Sequence, residues 1–592
     1  MVFCGLELYN TFMESQTKIC QSCKKDFIIE PDDFSFYEKI KVPAPTWCPE
    51  CRAIRRMSFR DHRVLYKRKS DLTNKIIFSI FHPESQVKVW EQDIWWSDKL
   101  DGLDYGIDIN FNKPFLNQIK ELFHSVPLPS QTGWDMIDSD YSAGSSNLKN
   151  CYLVFVATSA ENCSYSAELN IVKNSMDATR VDSSELCYQS FALTKCYRVF
   201  FSSHCENCMD VWFSRDLIGC SFCFGCTSLR NKKYCIYNKQ YSKERYEELI
   251  SSFNLGSYKN ISEIKEHTKD ILQKSIRKFY DGHSNVNISG EYINNSKNTF
   301  SSYYINQVED SKYIQLFFTP KAKDCYDCSL WGANTELSYE CSSIGANCYD
   351  IKFCCRSYKG AQNCEYSLYC IGCSHIFGCS GLKNKQYCIL NKQYTKEQYE
   401  ELVPKIIKHM NDMPYIDSNN RIYKYGEFFP LEFSAFPYND STAQEYFPLN
   451  KEEATKQGYI WFEKENRNYP IDIYAENLPD NIKDVDNNII GKVIECSHFN
   501  DKNHKKLNCD NSCTEAFKII PEELTFYRRM NLPLPRLCPN CRHYERLFQR
   551  NPMKLWHRSC MRPGCTNEFE TSYAPERPEI VYCERCYQQE VY

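Results

Sequence analysis

The sequence predicts a multidomain, mainly β protein. A duplicated parallel β-solenoid with capping helices is flanked at both ends by cysteine modules of the treble-clef or zinc-ribbon kind. Three observations predict this. The first is a module near the start: Cys20-x2-Cys23, Phe27, Phe36-Tyr37, Pro43-x-Pro45 and Cys48-Pro-x-Cys51-Arg52. From Cys23 onward its landmarks return 490 positions later, as far as Cys538-Pro-x-Cys541-Arg542. The second is a rhythm: Cys151, Cys163, Ser175 and Cys187 are 12 apart, and Cys196, Cys208 and Cys220 resume the step. The third is a long repeat, in which Cys220 to Leu249 returns 153 residues later as Cys373 to Leu402.

Composition narrows the class. The chain has 592 residues, a net charge of −4 and 15% aromatics, enough to bury several cores and too balanced for a global electrostatic partner. The start, Met1-Val-Phe-Cys4-Gly-Leu-Glu7, lacks a basic segment followed by a long apolar run, and no run of 18 apolar residues exists. The 35 cysteines are therefore read as metal ligands and buried thiols of a reducing, cytoplasmic compartment, not as a secreted disulfide framework. Either Met1 or Met13 serves as the start, and residues 1–18 form an N-terminal tail.

Residues 19–69 make the first module. Cys20, Cys23, Cys48 and Cys51 form two thiolate pairs at the spacing of a closed tetrahedral zinc site. A basic helix follows Cys51. Its Arg52, Arg55, Arg56, Arg60, Arg63, Lys67 and Arg68 form a cationic run that suits phosphates, or else a solvated face or internal ion pairs. Residues 70–126 read as a metal-free relic of a second ribbon plus a linker helix from Pro114 to about Val126: Ser70, Glu91 and Ile94 stand where the C-terminal copy has Cys560, Cys583 and Cys586. Trp90, Trp95 and Trp96 with nearby acids suit either a sugar surface or a packed ribbon.

Residues 127–241 form solenoid I. A β-favouring run follows each cysteine, turn formers lie between, and two 12-residue steps are expected to make a coil of about 24 residues with cysteines stacked inside. Residues 242–295 are a helical cap and connector. Residues 296–394 form solenoid II, and 395–415 its capping helix. Ser242 and Thr395 are N-caps, Thr395 with Gln398 as a capping box. Residues 416–495 are an extended connector.

Residues 496–592 carry tandem zinc modules. Cys509, Cys513, Cys538 and Cys541 make one quartet, and Cys560, Cys565, Cys583 and Cys586 the other. Cys496 and His498 are alternative ligands or plain loop residues. Arg542, Arg546, Arg550 and Arg558 repeat the basic run. The expectation is three structural zinc ions, each held by four thiolates.

Trp47-Cys-Pro-Glu-Cys-Arg52, Leu65-Tyr-Lys-Arg-Lys69, Trp95-Trp-Ser-Asp98, Asn238-Lys-Gln-Tyr241, Tyr425-Gly-Glu-Phe-Phe429, Gln444-Glu-Tyr-Phe-Pro448 and Leu537-Cys-Pro-Asn-Cys-Arg-His543 resemble uncharacterised zinc-ribbon proteins of uncultivated, small-genome bacteria. The resemblance covers nearly the whole chain and implies zinc binding in a cytoplasmic setting; it implies no activity. The sequence leaves open a scaffold binding RNA, DNA or ribonucleoprotein through its basic segments, a scaffold binding proteins on its solenoid faces, and a solenoid enzyme acting on polysaccharide. No membrane partner and no catalytic residue are expected.

Overall fold

The structure is a computed structural model that describes residues 14–463, 469–500 and 512–592. Most of the expected tail 1–18, both candidate start methionines, Cys4 and Cys509 lie outside the described residues. The chain forms two compact units. One joins Met1–Ser130 to Gly282–Phe462, and the other joins Gln131–Asp281 to Glu463–Tyr592. The units are therefore interleaved along the chain. The N-terminal cysteine module belongs with the second repeat, and the C-terminal modules belong with the first.

In the unit containing the first repeat, a 14-stranded sheet is built almost wholly of parallel strands. Its register advances by 12 residues at each step: Tyr152 pairs Ser164, Ser164 pairs Met176, Met176 pairs Tyr188, and Tyr188 pairs Phe200. The neighbour is thus one step away, which corrects the expected coil of 24 residues. The shorter period has a local cause. Without interruption from Asn147 to Tyr237, every third residue takes a left-handed φ, between +48° and +65°. Such a residue turns the chain sharply after each short extended piece. For Leu153, Val156 or Ile171 it costs roughly 1–3 kcal/mol in isolation. The ladder that surrounds each turn must overcome that cost.

The residue after each turn faces the interior. Cys151, Val154, Ala157, Ala160, Cys163, Leu169 and Val172 follow one another at multiples of three and belong to one buried cluster. Small side chains are required because successive steps stack directly. Cysteine and serine also satisfy backbone groups between ladder segments, where a buried N–H or C=O needs a partner. The Ser175 hydroxyl donates to the Lys173 carbonyl at 2.8 Å and accepts from the Cys187 N–H at 3.0 Å. The Cys163 thiol donates to the Glu161 carbonyl at 3.4 Å and the Val172 carbonyl at 3.6 Å. Burial pushes the Cys187 thiol up to about 12, so it stays protonated. Replacing Cys187 with Ser is expected to cost no more than about 1 kcal/mol. Replacing it with Phe should overpack the stack by about 1–3 kcal/mol. Amide exchange over residues 176–194 measures both.

The second repeat, in the other unit, forms a 12-stranded, again mostly parallel sheet. Its register is less even. Val286 pairs Lys297, Val308 pairs Ala322, Ala322 pairs Thr335, and Gln362 pairs Ser374, steps of 11, 14, 13 and 12. Inserted residues break the sequence rhythm there without breaking the ladder. Cys325, Cys328, Cys341, Cys348, Cys354 and Cys364 line its core.

Each repeat ends in a helix, Lys243–Ser252 or Lys396–Asp412. Ser242 caps the first, and Thr395 with Gln398 forms the expected capping box of the second. The helix at 258–273 is shorter than expected. Residues Ile276–Lys278 are instead a strand that pairs in parallel with Ile580–Tyr582 of the last cysteine module. The linker helix is Phe115–Ser125, as expected.

Candidate metal centres and the arginine latches

Three cysteine quartets come together, with all four sulfurs of each within 4.8 Å of one another: Cys20, Cys23, Cys48, Cys51; Cys496, Cys513, Cys538, Cys541; and Cys560, Cys565, Cys583, Cys586. Tetrahedral Zn–S bonds of about 2.3 Å place sulfurs roughly 3.8 Å apart, whereas a disulfide needs about 2.05 Å. The observed Cys23–Cys48, Cys496–Cys541 and Cys565–Cys583 separations are 3.8, 3.7 and 4.0 Å. The donor sets fit zinc, held without an open coordination position.

All three groups are built alike. The third cysteine of each, Cys48, Cys538 or Cys583, is the N-cap of a helix: Pro49–Met57, Pro539–Leu547 or Glu584–Val591. A helix N-terminus carries partial positive charge and favours thiolate there. The N–H of that cysteine donates to the sulfur of the first, Cys20, Cys496 or Cys560, at 3.2, 3.2 and 3.3 Å.

The second quartet corrects the expected ligand set. Cys496 takes the place assigned to Cys509. The reason is ladder register. Lys18 pairs Phe27 in the first module, and Ile494 pairs Phe517 in the second, so Cys496 stands where Cys20 stands. A stretch of 16 residues separates Cys496 from Cys513, where Cys20 and Cys23 are separated by two. The strand-like Val493-Ile494-Glu495 before Cys496 was the available signal.

The expected relic ribbon is present as a hairpin. Tyr66–Lys69 pairs Ile76–Ser79, as Trp556–Ser559 pairs Glu568–Thr571. Its loop is two residues shorter, which aligns Thr73 with Cys565 where Lys75 was expected. The Ser70 hydroxyl donates to Glu91 Oε2 at 2.6 Å, and the Thr73 hydroxyl donates to Glu91 Oε1. Burial pushes the Glu91 carboxyl up, but these hydrogen bonds outweigh it and leave the group lowered. Hydrogen bonds thus close the knot that sulfurs close in the C-terminal copy. Replacing Ser70, Thr73, Glu91 and Ile94 together with Cys should add one zinc per chain by elemental analysis. Trp95 is packed, its indole N–H donating to the Pro127 carbonyl at 2.9 Å.

The arginines have gone inside. Arg52, Arg55 and Arg56 are 1%, 0% and 0% exposed, and Arg542 and Arg546 are each 1% exposed. Arg52 Nη2 meets Asp327 at 2.7 Å, and Arg56 meets the same carboxylate at 3.2 Å and Ser329 Oγ at 3.2 Å. In the other unit Arg542 meets Asp177 at 2.9 Å, and Arg546 meets it at 3.1 Å and Thr179 Oγ1 at 3.1 Å. Arg52 also lies over the Tyr313 ring, and Arg542 over the Tyr165 ring, at 5.4 and 5.0 Å. Arg52 donates to the Trp47 carbonyl and Arg542 to the Leu537 carbonyl. Each unit thus has the same latch: two arginines, one turn apart on the helix after the cysteine pair, share one buried aspartate of the parallel sheet. Burial lowers the Arg542 guanidinium, yet Asp177 and other acids outweigh it and hold it well above its ordinary range. For Arg546 burial prevails and the group is lowered.

The remaining predicted cations are also engaged. Arg60 donates to Ser343 Oγ at 3.1 Å, Arg68 to the His82 carbonyl and Asp71, and Arg558 to the Tyr573 and Ala574 carbonyls. Arg63 and Arg550 are half-buried, and Lys67 is exposed. Sequence reasoning missed the partners Asp177, Glu523, Asp327, Glu340 and Glu427, which lie far from the arginines along the chain.

No family model and no curated protein matches this chain. Among solved structures, one of a "putative acetyltransferase" from Desulfovibrio desulfuricans G20 is 11% identical, over 49% of this chain and 86% of that one, with a TM-score of 0.11. A likeness of that size carries no argument about this chain.

Proposed function

We propose that this protein is a zinc-dependent scaffold made of two parallel β-solenoids, each braced by a treble-clef module, and that the solenoid faces bind protein partners in a reducing, cytoplasmic compartment. The 12-residue register, the left-handed turn at every third residue and the stacked small interior residues support the solenoid reading. The observation that carries the scaffold reading is the latch. Cations that would otherwise address phosphates are buried against carboxylates of the same unit. What faces outward is repetitive: Asn150, Asn162 and Asn174 form a hydrogen-bonded column, beside a column of Lys149, Glu161 and Lys173.

Retention of RNA and DNA by the zinc-loaded full chain tests this. At low salt the expected result is no retention that falls with added salt. Retention with a steep salt dependence, weakened by Lys67→Ala with Arg63→Ala, would return the function to nucleic acid.

A further inference from the structure

The two latches are alike where they hold and unlike where they face the sheet beside the hold. Helix Pro49–Met57 and helix Pro539–Leu547 correspond residue for residue, so Arg55 corresponds to Glu545. The sheets correspond as well. Tyr37 packs on Tyr339 with ring centroids 5.4 Å apart, as Tyr527 packs on Tyr188 at 5.8 Å. Glu340, next to Tyr339, therefore corresponds to Gln189, next to Tyr188. Arg55 reaches Glu340 at 3.4 Å and Glu427 at 3.2 Å, all three buried. A second difference lies beside it. Asp33 accepts from Lys312 Nζ at 2.7 Å, whereas its counterpart Glu523 accepts from the Tyr165 hydroxyl at 3.0 Å and the Tyr527 hydroxyl at 2.7 Å.

We infer that each sheet face is keyed by charge to one cysteine module of this chain: Arg55 with Glu340 and Glu427 admits the N-terminal module to the second repeat, and Glu545 with Gln189 admits the C-terminal module to the first. The shared latch alone cannot discriminate, because Arg52 and Arg542, and Arg56 and Arg546, make the same bonds. The key can. The C-terminal helix on the second repeat would bring Glu545 against Glu340, two acids in a dry interface. The N-terminal helix on the first repeat would bury Arg55 opposite a neutral amide. Unpaired buried charge is the strong form of discrimination between otherwise matched partners. Interleaving makes discrimination necessary, since each module is joined in sequence to the repeat it must refuse.

The test exchanges keys in the full chain and reads amide exchange in the two helices together with zinc content. Exchanging the module residues alone, Arg55→Glu with Glu545→Arg, should lower protection of both helices roughly a hundredfold or more. Adding the face residues, Glu340→Gln, Glu427→Gln and Gln189→Glu, should restore both and return zinc to three per chain. Glu340→Gln by itself, which keeps shape, should deprotect Pro49–Met57 and leave Pro539–Leu547 unchanged. Wild-type protection in the module-only exchange, or no recovery in the full exchange, overturns the inference.

Discussion

Replacing Cys496 with Ser is expected to remove one zinc ion per chain and to unfold the segment around Pro539–Leu547, whereas replacing Cys509 with Ser leaves zinc content unchanged. The contrast follows from position. Cys496 is 0% exposed, 3.7 Å from the Cys541 sulfur, and accepts the Cys538 N–H. A structural zinc site of this kind contributes on the order of 10 kcal/mol to folding in small metal modules, and three ligands hold the ion far more weakly than four. The loss should spread, because the apolar cluster around Cys496 includes Phe517, Tyr527, Leu534 and the sheet residues Tyr188, Phe200 and Trp212. Elemental analysis of the two variants, with protease resistance as the second readout, decides the matter. Three zinc ions in Cys496→Ser, or two in Cys509→Ser, would show that the ladder register has been misread.

Asp177→Ala should be the most damaging single change in the first repeat, costing about 3–5 kcal/mol. Asp177 is fully buried between Arg542 and Arg546. Without it Arg542 keeps Glu523 at 3.5 Å, but Arg546 keeps only neutral partners: Thr179 Oγ1 and the Tyr165 and Arg542 carbonyls. An arginine cannot shed its charge to escape. Asp327→Ala in the other unit should cost less, because Glu340 lies 3.3 Å from both Arg52 and Arg56 and remains to balance them. Amide exchange of the two helices compares the pair directly. Equal losses would mean that Glu340 does not share the load.

Some of this was legible in the chain because it is local. Ligand pairs around a helix start, the capping box at Thr395 and Gln398, and the 12-residue rhythm of the first repeat each depend on neighbours within one step. The rhythm's true unit was three residues, which a search for cysteines alone conceals, since serine, alanine, valine and leucine also occupy the inward place. In the second repeat, steps of 11 to 14 residues hid the rhythm altogether. Cys509 was chosen over Cys496 because spacing in sequence was allowed to stand for spacing in a ladder, and an inserted loop separates the two.

The sequence by itself determined the donor chemistry, two of the three quartets in full, the metal-free character of the hairpin at 66–79, and the existence of two parallel-strand repeats. Only the tertiary structure decided which repeat each cysteine module braces, which sulfur completes the second quartet, and where the arginines go. The reason is physical. A run of arginines looks the same in sequence whether it meets solvent, phosphate or a carboxylate, and its energy depends on what the fold brings opposite. Here Asp327 and Asp177, each hundreds of residues from its arginines, face them in a dry interface. Charges that would mark a binding surface are thereby turned into the fastening of the fold.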